Sequence, residues 1–254
     1  MKWIYASEAP SEQQTLDLFK GQWASKIPTR SETTSGGALL FEDPRVGWAL
    51  DRLNERGVSI DNAHVLELGP LEGAHTKALA NRGAASVTAV EASSEAYLKC
   101  LVVKETLGLE RVNFLYGDAT KFLQTTDRRF KLGFACGVLY HLVSPVQFIA
   151  GLARCCDSAY LWTQCWDTEF VSRLPKRRGS SFQAEVEGFR HTLHRNDYGN
   201  IEALPQFWGG SAGYSQWMQP EEIIGACKHF GFRTVEFEQS HNTWGAVLQL
   251  VAVK

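Results

Sequence analysis

A doubly wound α/β fold built on one seven-stranded sheet is predicted by three features of the sequence. Short apolar segments alternate with helical segments from Val65 onward. The first three of those apolar segments carry an acidic residue at or just past their carboxyl ends. Two strand-like segments then follow one another near the end of the sequence, an arrangement that makes the last strand antiparallel at the sheet's edge.

Residues 1–45 are polar, with scattered aromatics at Trp3, Tyr5, Phe19, Trp23 and Phe41. They are expected to form an N-terminal extension, a helical lid on a domain spanning residues 46–254. From Pro44 a helical pattern runs to Arg56, with Val46, Leu50 and Leu53 on one face. Pro44 suits a helix start and Gly57 a stop. Strands are expected at Val65–Leu68, Ser86–Val90, Val112–Tyr116, Phe130–Cys136 and Ala159–Thr163. Helices are expected at Ala74–Arg82, Glu95–Leu107 and Pro145–Arg154. From Gln164 to Ser215 clean periodicity is lost, so an aromatic insertion is assigned to 165–216, after the fifth strand. A helix at Glu221–Phe230 and paired strands at Arg233–Phe237 and Ala246–Val253 complete the sheet.

The chain has 254 residues, which suffices for a full core without disulfide or metal staples. A net charge of −2 and a pI near 6.4 exclude a globally basic nucleic-acid binder. The longest apolar-plus-glycine stretch, Leu132–Tyr140, is far short of a membrane span. Glu8 and Pro10 interrupt the start before any secretory h-region develops. The expectation is a soluble, cytoplasmic protein without membrane contact; the sequence leaves its oligomeric state open. Cys100, Cys136, Cys155, Cys156, Cys165 and Cys227 lack paired zinc spacing and read as small buried thiols. No metal is expected.

The chemistry concentrates in Val65-Leu66-Glu67-Leu68-Gly69-Pro70-Leu71-Glu72-Gly73, where an apolar strand ends in an acid, turns through glycine and enters a helix. Ligands of doubly wound sheets sit at such carboxyl ends. Glu91 closes the second strand and can accept both hydroxyls of a ribose. Asp118, in Tyr116-Gly117-Asp118-Ala119, follows the third and can accept from an exocyclic amine. Together these strand-end acids resemble the pattern of class I S-adenosylmethionine-dependent methyltransferases, a Rossmann-like family. The resemblance implies S-adenosylmethionine as cofactor, with Glu67, Gly69 and Gly73 bordering its methionine part. Glu91 would hold the ribose, and Gly117, Asp118 and Ala119 the adenine. Two positions depart from the family pattern. Leu71 stands where a glycine is usual, and Phe130-Lys131 where an acid often opens the fourth strand.

The segment Cys136-Gly137-Val138-Leu139-Tyr140-His141, followed by Ser144-Pro145, lies beyond the fourth strand. It resembles the wobble-uridine tRNA carboxymethyltransferases, which implies that Tyr140 contacts the cofactor carboxylate and that Cys136 and Gly137 line the same rim. His141 is either a general base, its ordinary pKa near 6.5 suiting neutral pH, or a turn-packing residue. Arg45 either pairs with the methionine carboxylate or makes a salt bridge to Glu42 or Asp43.

The substrate of that tRNA family is not carried over. The compact basic run Lys176-Arg177-Arg178 sits among Asp167, Glu169, Glu185 and Glu187 and reads as a solvated loop. The acceptor is therefore expected to be a small molecule, not a nucleic acid. Trp162, Trp166, Phe170, Phe182, Phe189, Tyr198, Phe207, Trp208, Tyr214 and Trp217 suggest a wall and lid over the site. His191, His194 and Asn196 receive no role. Two further readings stay open. One resembles the azetidine-2-carboxylate synthases, which cyclise the cofactor and release methylthioadenosine. The other, resting on Leu71, is a cofactor-binding module without activity.

Overall fold

The computed structural model describes residues 5–172, 180–198, 210, 212–243 and 245–254. A short helix α1 (Glu12–Leu16) opens the chain, and α2 (Arg45–Asn54) follows. The central sheet then alternates strand and helix as β1 (His64–Leu68), α3 (Ala74–Asn81), β2 (Ser86–Glu91), α4 (Ser94–Leu107), β3 (Val112–Tyr116), α5 (Ala119–Thr125) and β4 (Phe130–Cys136). Next come α6 (Pro145–Cys155), β5 (Cys156–Gln164) and a short α7 (Thr168–Ser172). Three strands follow, β6 (Ser181–Val186), β7 (Phe189–Asp197) and β8 (Tyr214–Trp217). The chain ends with α8 (Pro220–His229), β9 (Thr234–Asn242) and β10 (Gly245–Val253).

The sheet has seven strands, as expected, in the order β3-β2-β1-β4-β5-β10-β9. Its first five strands are mutually parallel, and β10 runs antiparallel between β5 and β9. The strand order reverses between β1 and β4, the crevice where doubly wound sheets take ligands. Strand periodicity sorts the core onto two faces. Leu66, Leu68, Leu123, Phe148, Ile149, Leu152 and Ile223 pack on the side of α5, α6 and α8. Val65, Leu50, Leu53, Leu79, Val103, Leu16 and Trp23 pack on the side of α2, α3 and α4.

Among the described residues before Pro44, helix is found over α1 and two short 3-10 turns, Asp17–Phe19 and Leu40–Glu42. The insertion, in which the sequence shows no clean periodicity, contains an antiparallel sheet of order β6-β7-β8. Its turn is Glu187-Gly188, with φ of +47° and +82°, the pair of left-handed residues that a two-residue hairpin demands. That turn is the signal the sequence carries for the hairpin. Lys176-Arg177-Arg178, Phe207 and Trp208 lie outside the described residues. No helix among the described residues is long and apolar enough to cross a membrane.

Candidate active site at the strand carboxyl ends

Parallel pairing puts the ends of β1, β2, β3 and β4 on one rim. Leu68 pairs with Val90 and with Ala135, and Glu91 pairs with Tyr116. Three of these strands, β1, β3 and β4, then turn through a glycine whose N–H donates to a carbonyl of the neighbouring strand. Gly69 donates to Val90, Gly117 to Glu91 and Gly137 to Trp162, all at 2.9 Å. The rim therefore gathers Glu67, Gly69, Glu91, Gly117, Asp118, Cys136 and Gly137, as the sequence suggested.

The turn after β1 is shaped by close approach. Gly69 has φ +71°, and a Cβ there would lie 2.6 Å from Val138 Cγ2, so a side chain has no room. Leu71 keeps the left-handed conformation of the glycine it replaces, with φ +56°. Its N–H donates to Glu91 Oε2 at 3.1 Å, while Ser93 N–H donates to Glu91 Oε1 at 2.8 Å. Glu91 is thus held in place by two backbone donors, and burial raises its pKa. Gly73, also left-handed, precedes α3.

Glu67 is 1% exposed. Its Oε2 accepts from the Thr76 hydroxyl, and its Oε1 has no partner. Desolvation pushes its pKa up to about 8. A buried carboxylate with a vacant lone pair beside a glycine turn suits a cationic ligand group. Asp118 caps α5, its Oδ1 accepting from Lys121 N–H at 2.8 Å, and Ala119 begins that helix.

The fourth strand brings Tyr140 and His141 to the rim on a 3-10 turn, Leu139–His141. The Tyr140 ring lies 6.3 Å from Trp162 and 6.1 Å from Trp217, and burial raises its pKa. His141 Nδ1 shares a 2.9 Å hydrogen bond with Tyr198 Oη. Burial drops the His141 pKa to about 4, so the ordinary value invoked from the sequence does not apply. Its imidazole is neutral at pH 7, tied to the insertion, and a weak base. Burial pushes the Cys136 thiol up to about 12, which keeps it protonated.

Of the two partners considered for Arg45, the structure shows Asp43. Arg45 Nε lies 2.9 and 2.8 Å from Asp43 Oδ1 and Oδ2, and its Nη2 also meets Oδ2. The guanidinium lies over Trp162, 4.6 Å from the ring centroid, which places it at the same rim. His75 Nε2, from the first turn of α3, lies 3.0 Å from Asp43 Oδ2.

Sequence reasoning missed Asp43, Glu72 and His75 as site-forming residues. Glu72, 2% exposed, accepts from the N–H groups of Ala24 and Ser25 at 3.0 and 2.8 Å. Lys99 Nζ lies 3.5 Å from Glu72 and donates to Gln22 O. The glycine turn is thereby tied to the N-terminal segment. Glu72 stood in the motif, but nothing local shows that a segment 47 residues away supplies its donors. His191 packs toward Phe189, and among the described residues no group of three His, Cys, Asp or Glu is placed to hold a metal.

Residues 65–158 match a family model described as a methyltransferase domain. Among solved structures, the N-terminal domain of EvdMO1 with SAH bound is similar at a TM-score of 0.69 and 22% identity, over 98% of this chain and 99% of that one. The chain spans 49% of the chain in the crystal structure of EvdMO1 itself. Magnesium protoporphyrin IX methyltransferase (ChlM) from Synechocystis PCC 6803, with bound SAH, is similar at 0.57 and 17% identity, over 85% of this chain and 84% of that one. An S-adenosylmethionine-dependent methyltransferase from Clostridium acetobutylicum ATCC 824 is similar at 0.55 and 10% identity, over 82% and 89%. No curated protein matches the sequence. At these identities the structural likeness is one of fold. Fold and rim together define a doubly wound α/β protein with an acid-lined crevice at its strand carboxyl ends. Within it, residues 65–158 match a methyltransferase domain model, and the fold is the one seen in solved S-adenosylmethionine-dependent methyltransferases.

Proposed function

We propose that the protein is an S-adenosylmethionine-dependent methyltransferase acting on a small molecule. The observation that carries this reading is the buried, half-partnered carboxylate of Glu67 beside a glycine turn with no room for a side chain. The residues present fit the cofactor. Glu67 would face its ammonium group, Glu91 the ribose hydroxyls, and Asp118 the adenine amine. Arg45, or the Tyr140 hydroxyl, would meet the carboxylate. When bound, S-adenosylmethionine supplies an electrophilic methyl group on a sulfonium.

The chain's own residues orient and exclude water. Glu91 is pre-positioned by Leu71 and Ser93, so it loses little freedom on meeting a diol. Trp162, Tyr140 and Trp217 form an aromatic rim that keeps the reacting atoms dry. Alignment of nucleophile and donor at near-attack distance is the main catalytic contribution such a site can make. His141, neutral at pH 7, can accept a hydrogen bond from an acceptor but is a poor proton trap.

The cyclising alternative gains no support from the structures that the chain resembles. Incubation with S-adenosylmethionine alone, read by mass spectrometry, tests both readings. A methyltransferase binds S-adenosylhomocysteine tightly in calorimetry and releases no methylthioadenosine above background. Enzymatic methylthioadenosine without acceptor would establish cyclisation, and failure to bind either nucleoside would overturn the cofactor assignment.

A further inference from the structure

The Asp43 side chain, 7% exposed, makes more contacts than the start of a helix asks of it. Its Oδ1 accepts from the Arg45 backbone N–H at 2.9 Å, which serves one of the free N–H groups that open α2. Its other bonds go to two side chains. Arg45 Nε lies 2.9 and 2.8 Å from the two oxygens, Arg45 Nη2 meets Oδ2, and His75 Nε2 lies 3.0 Å from Oδ2. Burial works to raise the Asp43 carboxyl, and the bonds from His75 and Arg45 overcome it, holding the group well below the usual carboxylate range. An ionised carboxylate only accepts, so the His75 hydrogen is on Nε2.

Nε and Nη2 form one edge of the Arg45 guanidinium, and Asp43 fills it. The end-on edge, made by Nη1 and the second hydrogen of Nη2, has no partner among the described residues. The Arg45 side chain keeps 26% of its surface open, and Trp162 holds the guanidinium from a second side, 4.6 Å from its ring centroid. Trp162 pairs with Cys136 at the end of β4, and its carbonyl accepts from Gly137 N–H. Arg45 therefore stands at the turn that leads to Tyr140. A planar fork with one edge filled takes a second carboxylate bidentately on the other. Because Asp43 balances its charge, the pair suits an amino-acid tail, itself neutral overall, better than a bare anion.

We propose that Asp43 and His75 are positioning residues, locking Arg45 by one edge so that its other edge receives the carboxylate of the cofactor's methionine tail. The inference rests on the methyltransferase reading and deepens it. His75 stands in the first turn of α3, just past Gly73, and braces Asp43 from the side of the glycine turn. A guanidinium fixed in advance loses little freedom on meeting its ligand. The lock makes the site select a nucleoside with an intact amino-acid tail over a truncated one such as methylthioadenosine.

Calorimetry with S-adenosylhomocysteine and with methylthioadenosine, which lacks the tail, tests this. Asp43→Asn keeps the Oδ1 acceptor that serves α2 but removes the charge. It should weaken S-adenosylhomocysteine binding about tenfold or more and hold methylthioadenosine within about twofold. Arg45→Lys should do the same, and the double variant should lose no more than Arg45→Lys alone, because Asp43 acts through Arg45. His75→Gln, whose amide N–H can reach the same oxygen, should keep the unmodified affinity, and His75→Leu should not. Equal losses for both nucleosides, additive losses in the double variant, or an Asp43→Asn that binds as tightly as the unmodified protein overturn the lock and leave the cofactor reading standing. If the unmodified protein binds neither nucleoside, the cofactor reading itself fails and the lock falls with it. Because a variant can misfold, 15N-arginine spectra of the unmodified protein give a second readout. The Arg45 Nη resonances should shift with S-adenosylhomocysteine and stay in place with methylthioadenosine, and resonances unmoved by both overturn the proposal.

Discussion

The backbone N–H of Leu71 donates to Glu91 Oε2 across 3.1 Å, joining the turn after the first strand to the acid that ends the second. Leu71 is the residue that departs from the family's glycine pattern. It nevertheless holds φ at +56°, so the departure changes the side chain and preserves the backbone path. The contact makes the turn and this strand-end acid one mechanical unit.

Loss of that acid should therefore cost affinity more than fold. Glu91→Gln keeps volume but removes an acceptor, and it should weaken S-adenosylhomocysteine binding by ~1–3 kcal/mol. Calorimetry on the folded variant checks this, and unchanged affinity would remove Glu91 from the ribose.

Leu71 should reveal the strain it carries. A left-handed residue with a Cβ costs about 1–2 kcal/mol, offset partly by the backbone entropy that glycine loses on folding. Leu71→Gly should thus be more stable than Leu71→Ala by roughly 1 kcal/mol. Denaturant unfolding of the two variants decides it; an Ala variant as stable as the Gly variant would contradict the strain.

The pH dependence of stability follows from two buried groups with opposite signs. The Glu67 pKa is raised from 4.5 to about 8, so the folded state keeps a proton that the unfolded chain releases above 4.5. Its stabilising effect is complete below 4.5 and is lost as pH rises to 8. The His141 pKa is lowered from 6.5 to about 4, so its effect runs the other way, with stability lost as pH falls from 6.5 to 4. Between 4.5 and 6.5 the two cancel. From 6.5 to 8 the His141 contribution is constant, and the Glu67 contribution should fall by about 1.4 kcal/mol per pH unit. Glu67→Gln should flatten that decline in urea titrations at stepped pH.

The same lowering fixes how His141 behaves in the folded protein. Its imidazole resonances should not titrate between pH 5.5 and 8. Any pH–rate limb near 6.5, once an acceptor is known, would belong to another group. Histidine NMR showing titration near 6.5 would return His141 to the role of an ordinary general base.

Glu72 should prove structural. Glu72→Ala removes the acceptor of two backbone N–H groups and one partner of buried Lys99. Removing one member of a buried pair costs about 3–5 kcal/mol, and the lower end applies because Lys99 also meets Glu95 at 2.7 Å. Hydrogen exchange should accelerate in residues 22–38 first. Uniform exchange across the chain would deny that Glu72 is the anchor of this segment.

Sequence alone determined the parallel sheet, because strand and helix periods differ and alternate cleanly from Val65 to Thr163. It also placed Glu67, Glu91 and Asp118 on one rim, since a parallel sheet brings the carboxyl ends of its strands together whatever the side chains are. Tyr140 and His141 were legible for the same reason. Three things needed the tertiary structure. Arg45 could reach Glu42, Asp43 or a ligand carboxylate by sequence, and only the tertiary structure shows it paired with Asp43, with Trp162 beneath its guanidinium and His75 on the same carboxylate. The His141 pKa is a property of burial, and burial beneath the insertion is decided by chain segments 57 residues apart. The three-stranded sheet of the insertion stayed hidden because its aromatic and polar residues obey no single period. Its strands are fixed by the Glu187-Gly188 turn and by docking on Leu142 and Glu222, contacts that form only once the main sheet has brought those elements together.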